Sequence, residues 1–404
     1  MKVLVINSGS SSIKYQVFTM EDCAVATSGV LERIGTAGSR LRHRWREGGR
    51  EREAEISQPV SGHREGLQRI VTAMSETGVL RDAGELFGIG HRVVHGGEKF
   101  REPALIDNAV LADMRSVAPL APLHNPANLA GIEVARSLFP EVAQVAVFDT
   151  AFHHSIPPHA FHYALPYDLY TGHQVRRYGF HGTSYQYVTK QAAAQLGRPL
   201  ETLNLIAFHL GNGASGAAIR AGNSIDTSMG MTPLEGLMMG TRCGDLDPAV
   251  HFYLAKVAQL SNDDLEDLLN RASGLKGICG ASDMREVERR AQAGDARARL
   301  AIDLFCYRVR KYIGAYTAVL GRVDALVFTG GIGENAPAIR QRCCEGLEGM
   351  GIMLDEGANR KSPDPVNEIQ HQASAVKVLV IRTNEELEIA RQTVDCIQAN
   401  PRPG

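Results

Sequence analysis

The chain of 404 residues lacks the run of about 20 apolar residues that a membrane-spanning helix needs. Its formal net charge is only −2, so no general electrostatic attraction to nucleic acid or to an anionic membrane is expected. One lysine and a short apolar run open the chain, and this run is too short for a signal peptide. We expect a cytoplasmic protein whose partners include neither nucleic acid nor a membrane.

Common metal and nucleotide motifs are also missing. The seven cysteines have no zinc-type spacing and no histidine belongs to an H-E-x-x-H motif, so a dedicated zinc site is not expected. Adjacent Cys343 and Cys344 suit neither a common disulfide nor a zinc knuckle, and the odd cysteine count indicates reduced thiols. The Walker A sequence G-x-x-x-x-G-K-[ST] does not occur, which excludes a P-loop.

Two stretches of the chain, residues 3–14 and residues 205–216, share one pattern. Each is an apolar run, which predicts a buried strand, and each ends in small residues with one asparagine before a second strand-like segment. The tip of such a hairpin exposes backbone N–H groups, and small residues there let phosphate oxygens approach. For either stretch alone, an ordinary β-turn explains the pattern equally well.

The second stretch also matches G-x-G-x-x-G, at Gly211, Gly213 and Gly216. A dinucleotide-binding fingerprint needs a helix after these glycines. Here a strand-like segment and a turn at residues 220–224 follow, which leaves no room for that helix. We therefore reject dinucleotide binding.

Several polar residues stand in or after apolar segments. Arg92 lies in an apolar strand, where an arginine is costly unless it meets an anion, and a structural salt bridge is the alternative. Asp149 follows a strand at 142–148, a common place for a catalytic or metal-binding acid in α/β proteins and also for a helix cap. A strand at 325–328 leads through glycines to a helix near 338–346, whose amino terminus suits phosphates or ribose.

Two helix starts are predicted from capping residues. Thr183 or Ser184 is expected to cap the helix that follows it. Near the carboxyl terminus, Thr383 and Glu386 fit a capping box, which leaves Glu385 without a capping role.

Composition predicts three further features. Residues 33–57 are dense in Arg and Glu and contain a glycine pair, which indicates an exposed edge hairpin. The proline-punctuated residues 119–128 predict a loop before a helix at 129–138. Arg242 is flanked by glycines and acids, which indicates a loop that positions it.

Five motifs together resemble those of the acetokinase family, the short-chain acyl kinases of the larger group that contains sugar kinases, actin and Hsp70 ATPases. They occur in the family's order up to about residue 395, and they are residues 7–14, 209–215, 240–245, 330–335 and 383–386. The resemblance implies an α/β fold of two duplicated ribonuclease-H-like, actin-like ATPase domains with a nucleotide cleft between them.

The implied domains are an N-terminal domain, residues 1–150, with a C-terminal helix at 384–404 packing back on it, and a C-terminal domain, residues 151–383. The second domain is expected to bind the nucleotide and to build a homodimer. The implied reaction is the reversible, Mg²⁺-dependent transfer of the γ-phosphoryl group of ATP to acetate, which gives ADP and acetyl phosphate. Mn²⁺ is an alternative metal.

The resemblance also implies a role for individual residues. The catalytic set is Arg92, Asp149, His181, Arg242, His124 and His209. The substrate-binding set is Arg92, Val94, Leu123, Phe180 and Pro233. The nucleotide-binding set is Lys14, His209, Gly211, Asn212, Gly213, Asp283, Arg285, Gly331, Ile332 and Asn335. The metal set is Asn7 and Glu385.

Acceptor choice and two departures complete the expectations. Val94 keeps the implied methyl pocket tight and favours acetate, although one methylene is worth only roughly 1 to 3 kcal/mol. Gly216 stands where the family usually has an aliphatic residue and is expected to loosen the second hairpin. The Arg-rich residues 40–53 are unusual and lie outside the implied site.

Three other functions are weighed against this one. A propionate kinase shares most of the motifs. A sugar or glycerol kinase would use Asp149 as a base, but the two arginines and the lack of a polyol-binding polar cluster argue against it. An Hsp70- or actin-like ATP-binding module would turn over ATP slowly and independently of small carboxylates.

Overall fold

The computed structural model describes residues 1–122 and 124–400, which form two compact units. The first unit contains Met1–Ala151 and the segment that begins at Asn384, and the second unit is Phe152–Thr383. Each unit is built around one β-sheet of its own. Across the described ranges, no helix has both the length and the apolar character needed to cross a membrane.

The first unit contains an eight-stranded sheet. Its strands are β1 (Lys2–Ser8), β2 (Ser12–Thr19), β3 (Ala24–Glu32), β4 (Arg40–Glu47), β5 (Arg50–Ser57), β6 (Leu86–Val93), β7 (Ala104–Leu105) and β8 (Gln144–Phe148). Their order across the sheet is β5-β4-β3-β2-β1-β6-β8-β7. Strands β1 to β5 are antiparallel neighbours, whereas β6 runs parallel to β1 and β8 runs parallel to β6.

The second unit contains a six-stranded sheet. Its strands are β9 (Asn204–Leu210), β10 (Ala214–Arg220), β11 (Asn223–Thr227), β12 (Ala325–Thr329), β13 (Val366–Glu368) and β14 (Lys377–Ile381). Their order is β11-β10-β9-β12-β14-β13. Strands β9 to β11 are antiparallel, β12 runs parallel to β9, and β14 runs parallel to β12.

Both sheets contain the same five-strand arrangement. Three antiparallel strands, β3-β2-β1 or β11-β10-β9, are followed by two parallel ones, β6-β8 or β12-β14. The two hairpins predicted from their shared sequence pattern are β1–β2 and β9–β10, and each opens its own copy. The prediction of a duplicated α/β fold is confirmed.

Fifteen helices of the described residues accompany the two sheets. They are α1 (His63–Glu76), α2 (Asn108–Val117), α3 (Asn125–Leu138), α4 (Pro158–Phe161), α5 (Tyr167–His173), α6 (Gly182–Leu196), α7 (Ala249–Val257), α8 (Asn262–Arg271), α9 (Gly274–Cys279), α10 (Met284–Gln292), α11 (Ala296–Leu320), α12 (Gly330–Asn335), α13 (Pro337–Cys344), α14 (Glu356–Asn359) and α15 (Glu385–Ala399).

Helices cover both faces of the first sheet. Ile89 of β6 belongs to the core that the sheet shares with α1 and α3. Gly88 and Gly90 alternate with it and therefore face the other side, where α15 packs. A Cβ atom on Gly90 would lie 2.3 Å from Thr393 Oγ1, so only glycine lets α15 approach β6 this closely.

The structure corrects the predicted helix starts. Helix α3 begins at Asn125, not after a loop that ends at 128, because Pro126 fits the first turn of a helix. Helix α6 begins at Gly182, and no side chain caps it, so Thr183 and Ser184 are not caps. The predicted helix near 338–346 is confirmed as α13, and the short helix α12 precedes it directly after β12.

The capping prediction for the C-terminal helix is also wrong. Asn384 is the cap of α15, and its Oδ1 accepts from Leu387 N at 3.0 Å. Neither Thr383 nor Glu386 has the predicted capping role. Capping therefore does not account for either of the two acids, Glu385 and Glu386.

Two predictions about hairpins have different outcomes. The Arg/Glu-rich stretch forms the β4–β5 hairpin at the edge of the first sheet, as predicted. Gly216 does not loosen the second hairpin, because pairing between β9 and β10 is continuous. A Cβ atom on Gly216 would lie 2.6 Å from the Phe208 ring, so the glycine makes room for this aromatic side chain.

Candidate active site

In the first unit, an ion pair joins the carboxyl ends of two neighbouring parallel strands. Arg92 lies near the end of β6, and Asp149 directly follows β8. Arg92 Nε lies 3.2 Å from Asp149 Oδ1 and 3.0 Å from Oδ2, and Nη2 donates to Oδ2 at 2.7 Å. Asp149 is only 2% exposed, so it fixes the guanidinium from beneath while Arg92 stays partly accessible.

The first turn of α15 places acids near this pair. The pKa of Arg92 is raised, mainly by the charge of Asp149 and also by Glu385 and Glu386, although burial opposes the rise. The pKa of Glu386 is raised by burial and by the charge of Glu385, while Arg92 and Lys14 act in the opposite direction. The predicted residues Asp149 and Glu385 therefore interact electrostatically with Arg92, and Lys14 interacts with Glu386.

Asn7 reaches the same edge of the first sheet. Ile6 of β1 pairs with His91 of β6, so the next residue of each strand, Asn7 and Arg92, lies at the same level. The predicted metal residues Asn7 and Glu385 thus both belong to the first unit, as do His124, just before α3, and Val94, just after β6. Leu123 lies outside the described residues.

Two asparagines that sequence reasoning did not select hold this edge together. Asn128 of α3 accepts from Val94 N at 3.1 Å and donates to Ser8 O at 2.7 Å, so it joins the ends of β6 and β1. Asn125 accepts from His95 N and donates to His95 O. The only available signal was their spacing of three residues, which places both on one side of α3.

In the second unit, two predicted histidines stack on each other. The ring centroids of His181 and His209 are 4.3 Å apart, and the planes differ by 20°. His181 Nδ1 lies 2.8 Å from Ser215 Oγ, and His209 Nδ1 lies 2.8 Å from Ser184 Oγ. Ser184, mistaken for a cap, therefore orients an imidazole.

The tip of the β9–β10 hairpin lies beneath His181 and Arg242. A Cβ atom on Gly213 would lie 3.5 Å from Arg242 Nη1 and 3.7 Å from His181 Nε2. Arg242 donates to Pro233 O at 3.2 Å and contacts Met239 Sδ at 3.8 Å. Among the described residues no carboxylate forms an ion pair with Arg242, and burial lowers its pKa. A partly buried cation of this kind is suited to an anionic ligand.

Most of the predicted nucleotide residues line one cavity of about 560 Å³ in the second unit. Seven of them do so, namely Gly211, Asn212, Asp283, Arg285, Gly331, Ile332 and Asn335. Ser282, Met284, Glu288 and Ala336 line it as well and were not predicted. Gly213 and His209 belong to the adjacent hairpin, and Lys14 belongs to the first unit.

The wall of this cavity contains an exposed ion pair. Arg285 Nη2 donates to Asp283 Oδ2 at 2.5 Å, and this bond lowers the pKa of Asp283 to about 2. Asp283 also caps α10 through Arg285 N. On the opposite wall, Asn335 donates to Gly331 O at 2.9 Å, which fixes the short helix α12.

The Acetokinase family matches residues 2–391 of the chain. The chain belongs to the acetokinase family. It is therefore a kinase, that is, a phosphotransferase.

Members of the acetokinase family resemble this chain over almost its whole length. Acetate kinase of Syntrophobacter fumaroxidans is 56% identical over 98% of this chain and 97% of its own. The crystal structure of Porphyromonas gingivalis acetate kinase has a TM-score of 0.93 at 43% identity, covering 98% of this chain and 99% of its own. That of a propionate kinase from Francisella tularensis has a TM-score of 0.90 at 40% identity, with the same coverage of both chains.

The acetokinase chain offers few protein ligands for a metal. No group of three or more His, Cys, Asp and Glu side chains able to hold an ion occurs within residues 1–122 and 124–400. The predicted metal residues Asn7 and Glu385 would supply one amide and one carboxylate oxygen. This donor set fits Mg²⁺, which keeps several waters and is commonly held by one or two carboxylates together with substrate phosphates.

Proposed function

We propose that this acetokinase transfers the γ-phosphoryl group of ATP to acetate, reversibly and with Mg²⁺, to form acetyl phosphate and ADP. The observation that carries the proposal is Arg242, a partly buried arginine that has no carboxylate partner within the described ranges and stands beside His181 over the glycine tip of a hairpin. Such a cluster suits a phosphoryl group more than any neutral ligand.

The acceptor chemistry needs no general base. A carboxyl group with a pKa of about 4 is already ionised at pH 7, so acetate is itself the nucleophile. Asp149 is therefore not required to accept a proton from the substrate, and its hydrogen bonds to Arg92 indicate a role in positioning. We assign it the orientation of the guanidinium, which presents Nη1, the nitrogen that these bonds do not use, to the carboxylate.

Catalysis in this proposal is positioning and charge stabilisation. Arg242 and His181 donate to the oxygens of the transferring phosphoryl group, and backbone N–H groups near Gly213 support them. Asn7 and Glu385 hold Mg²⁺, which neutralises phosphate charge when it is bound. The cavity lined by Asp283 and Asn335 accepts the nucleoside.

In the second unit, the acyl pocket is assigned to Phe180 and Pro233, and contact of Val94 and Leu123 of the first unit with the acyl group stays a prediction. Propionate kinase is the second candidate, because the Francisella tularensis propionate kinase has nearly the same fold at 40% identity. A small apolar pocket discriminates one methylene group only modestly, so the kcat/KM values for acetate and propionate differ by roughly 10- to 200-fold at most.

We also propose a homodimer built through the second unit. Helix α7 has no buried residue, and its Phe252 and Tyr253 are 72% and 64% exposed. Exposed aromatic side chains at this density are typical of an interface. Sedimentation should give one species of twice the chain mass, and a monomer at micromolar concentration would contradict the proposal.

All seven cysteines are free, which suits the reducing cytoplasm.

One assay tests the proposed reaction. ATP turnover is measured with hydroxylamine present to trap acyl phosphate, and acetate, propionate, butyrate and glycerol are compared with a control without acceptor. Hydroxamate should form fastest with acetate. Faster reaction with propionate would retain the mechanism and change the acceptor. ADP release without hydroxamate would indicate a polyol kinase if glycerol stimulated it, and an ATPase module if nothing did.

A further inference from the structure

Glu235 is the centre of a hydrogen-bonded cluster in the second unit that the proposed mechanism does not use. Arg177 Nη2 donates to Glu235 Oε1 at 2.7 Å, and the Tyr163 hydroxyl donates to Oε2 at 2.6 Å. Asp226 adds a weaker interaction, with Oδ1 4.0 Å from Arg177 Nε. Side chains from two separate segments thus converge on the Glu235 carboxylate, and Arg177 links it to Asp226.

The cluster holds the loop that follows β11. Arg177 Nη1 lies 2.9 Å from the carbonyl oxygen of Thr227 and 3.3 Å from those of Ser228 and Met229. From the other side, Met231 N donates to the Tyr163 hydroxyl at 2.9 Å. Arg177 and Tyr163 therefore hold the backbone of four of the five residues 227–231.

Gly230 lies in the middle of this loop and has no space for a side chain. A Cβ atom there would lie 1.9 Å from Glu235 Oε2 and 2.1 Å from the Tyr163 hydroxyl. The carbonyl oxygen of Gly230 accepts from Tyr178 N at 3.0 Å and Gly179 N at 3.2 Å. These amides immediately precede Phe180 and His181, so the cluster holds that segment as well.

The same cluster reaches the other wall of the assigned acyl pocket. Glu235 lies two residues after Pro233, whose carbonyl oxygen accepts from Arg242 Nη1 at 3.2 Å. Pro233 is therefore tied to Glu235 along the backbone, and Phe180 lies three residues after Arg177, which donates to Glu235.

We propose that Glu235, together with Arg177 and Tyr163, forms a positioning cluster that sets the size of the acyl pocket and so the preference for the shortest carboxylate. The inference rests on the proposed function. None of the three residues touches the reacting atoms. They fix the separation of Phe180 and Pro233, because two loop segments that could move apart would admit a longer acyl chain.

The test compares Tyr163→Phe, Glu235→Ala and the double variant with the wild type in the hydroxamate assay. Tyr163→Phe keeps the ring and removes only the bridging hydroxyl, so it remains informative if Glu235→Ala folds poorly. Tyr167→Phe, on an exposed tyrosine of α5, is the matched control. KM for acetate, propionate and ATP and the melting temperature are measured for each.

Each single variant should raise KM for acetate by about tenfold, the size expected for a lost hydrogen bond to a charged group. The ratio of kcat/KM for acetate to that for propionate should fall by a similar factor, while KM for ATP changes less than about twofold. The double variant should be no worse than the more affected single variant, because the residues act as one unit.

Two results would overturn the inference while the proposed function stands. The first is a folded Tyr163→Phe enzyme whose KM for acetate and acyl preference equal those of the wild type. The second is a variant whose KM for ATP rises by the same factor as its KM for acetate. A wild-type enzyme that forms no hydroxamate would overturn both the inference and the proposed function.

Discussion

The imidazole rings of His181 and His209 stack face to face with their centroids 4.3 Å apart. Each ring is held at Nδ1 by a serine hydroxyl, and the two serines lie on different elements, α6 and β10. The Ser215 hydroxyl is itself 2.5 Å from the Tyr185 hydroxyl, so His181 is oriented by two linked groups. The ring that we assign to the phosphoryl group is thus fixed before any ligand arrives.

Ser215→Ala should remove this orientation. We expect kcat to fall by about tenfold with little change in KM for ATP, because a misplaced donor weakens stabilisation of the transferring group. Steady-state hydroxamate assays measure the effect, and Ser116→Ala, on an exposed serine of α2, is the control. Wild-type kcat in a folded Ser215→Ala enzyme would contradict the role of Ser215.

Arg242→Ala should lower kcat by on the order of 10³-fold, the scale for removing a charge-stabilising group from a transition state. Arg242→Lys should recover only part of the loss, since lysine lacks the planar fork of donors. Arg322→Ala, on an exposed arginine of the same unit, should have wild-type turnover. Near-normal turnover of Arg242→Ala would remove the observation on which the proposed function rests.

Glu385→Ala should raise the Mg²⁺ concentration needed for half-maximal activity, and Glu386→Ala should raise it less. The two acids are neighbours on the first turn of α15, so each variant is the other's control for charge and helix stability. A Mg²⁺ titration of turnover ranks them. The reverse order would assign the metal to Glu386.

The stability of the first unit should fall as the solution becomes acidic. Burial lowers the pKa of His91 to about 4, against an unperturbed value of about 6.5. Below pH 6.5 His91 is protonated in the unfolded chain but stays neutral in the folded chain. The free energy of unfolding therefore falls by up to about 1.4 kcal/mol per pH unit until pH 4. Below that pH the loss from this group stops.

The measurement is urea unfolding of the wild type and His91→Gln at pH 7.5 and pH 5. Glutamine does not titrate and keeps an amide near Gln144, the partner of His91 at 2.9 Å. The variant should lose less stability between the two pH values than the wild type. Equal losses would show that His91 does not contribute to the acid sensitivity.

Sequence reasoning succeeded where one short segment determines its own structure. The hairpin that begins each sheet could be predicted, because an apolar run interrupted by small residues forms a hairpin from local sequence alone. It failed at helix starts. Asn384 and Thr383 are adjacent candidates for a cap, and only the backbone conformation decides which side chain reaches the free N–H of Leu387.

Long-range partners could not be predicted at all. Glu235 and Arg177 are 58 residues apart, and nothing in the sequence around either residue indicates that the two interact. The same is true of Asn128 and Ser8, separated by 120 residues. The residues assigned to the site are predicted from the resemblance to the family, whereas the residues that hold them in place are scattered along the chain and carry no such signal.

The position of α15 has a consequence for how the chain is made. It is the last helix described, yet it covers one face of the sheet that contains the first strands. A ribosome delivers Phe152–Thr383 as one uninterrupted segment, whereas the face of the first sheet that contains Gly88 and Gly90 stays uncovered until α15 has been synthesised. The first unit is therefore begun before the second unit is made and completed after it.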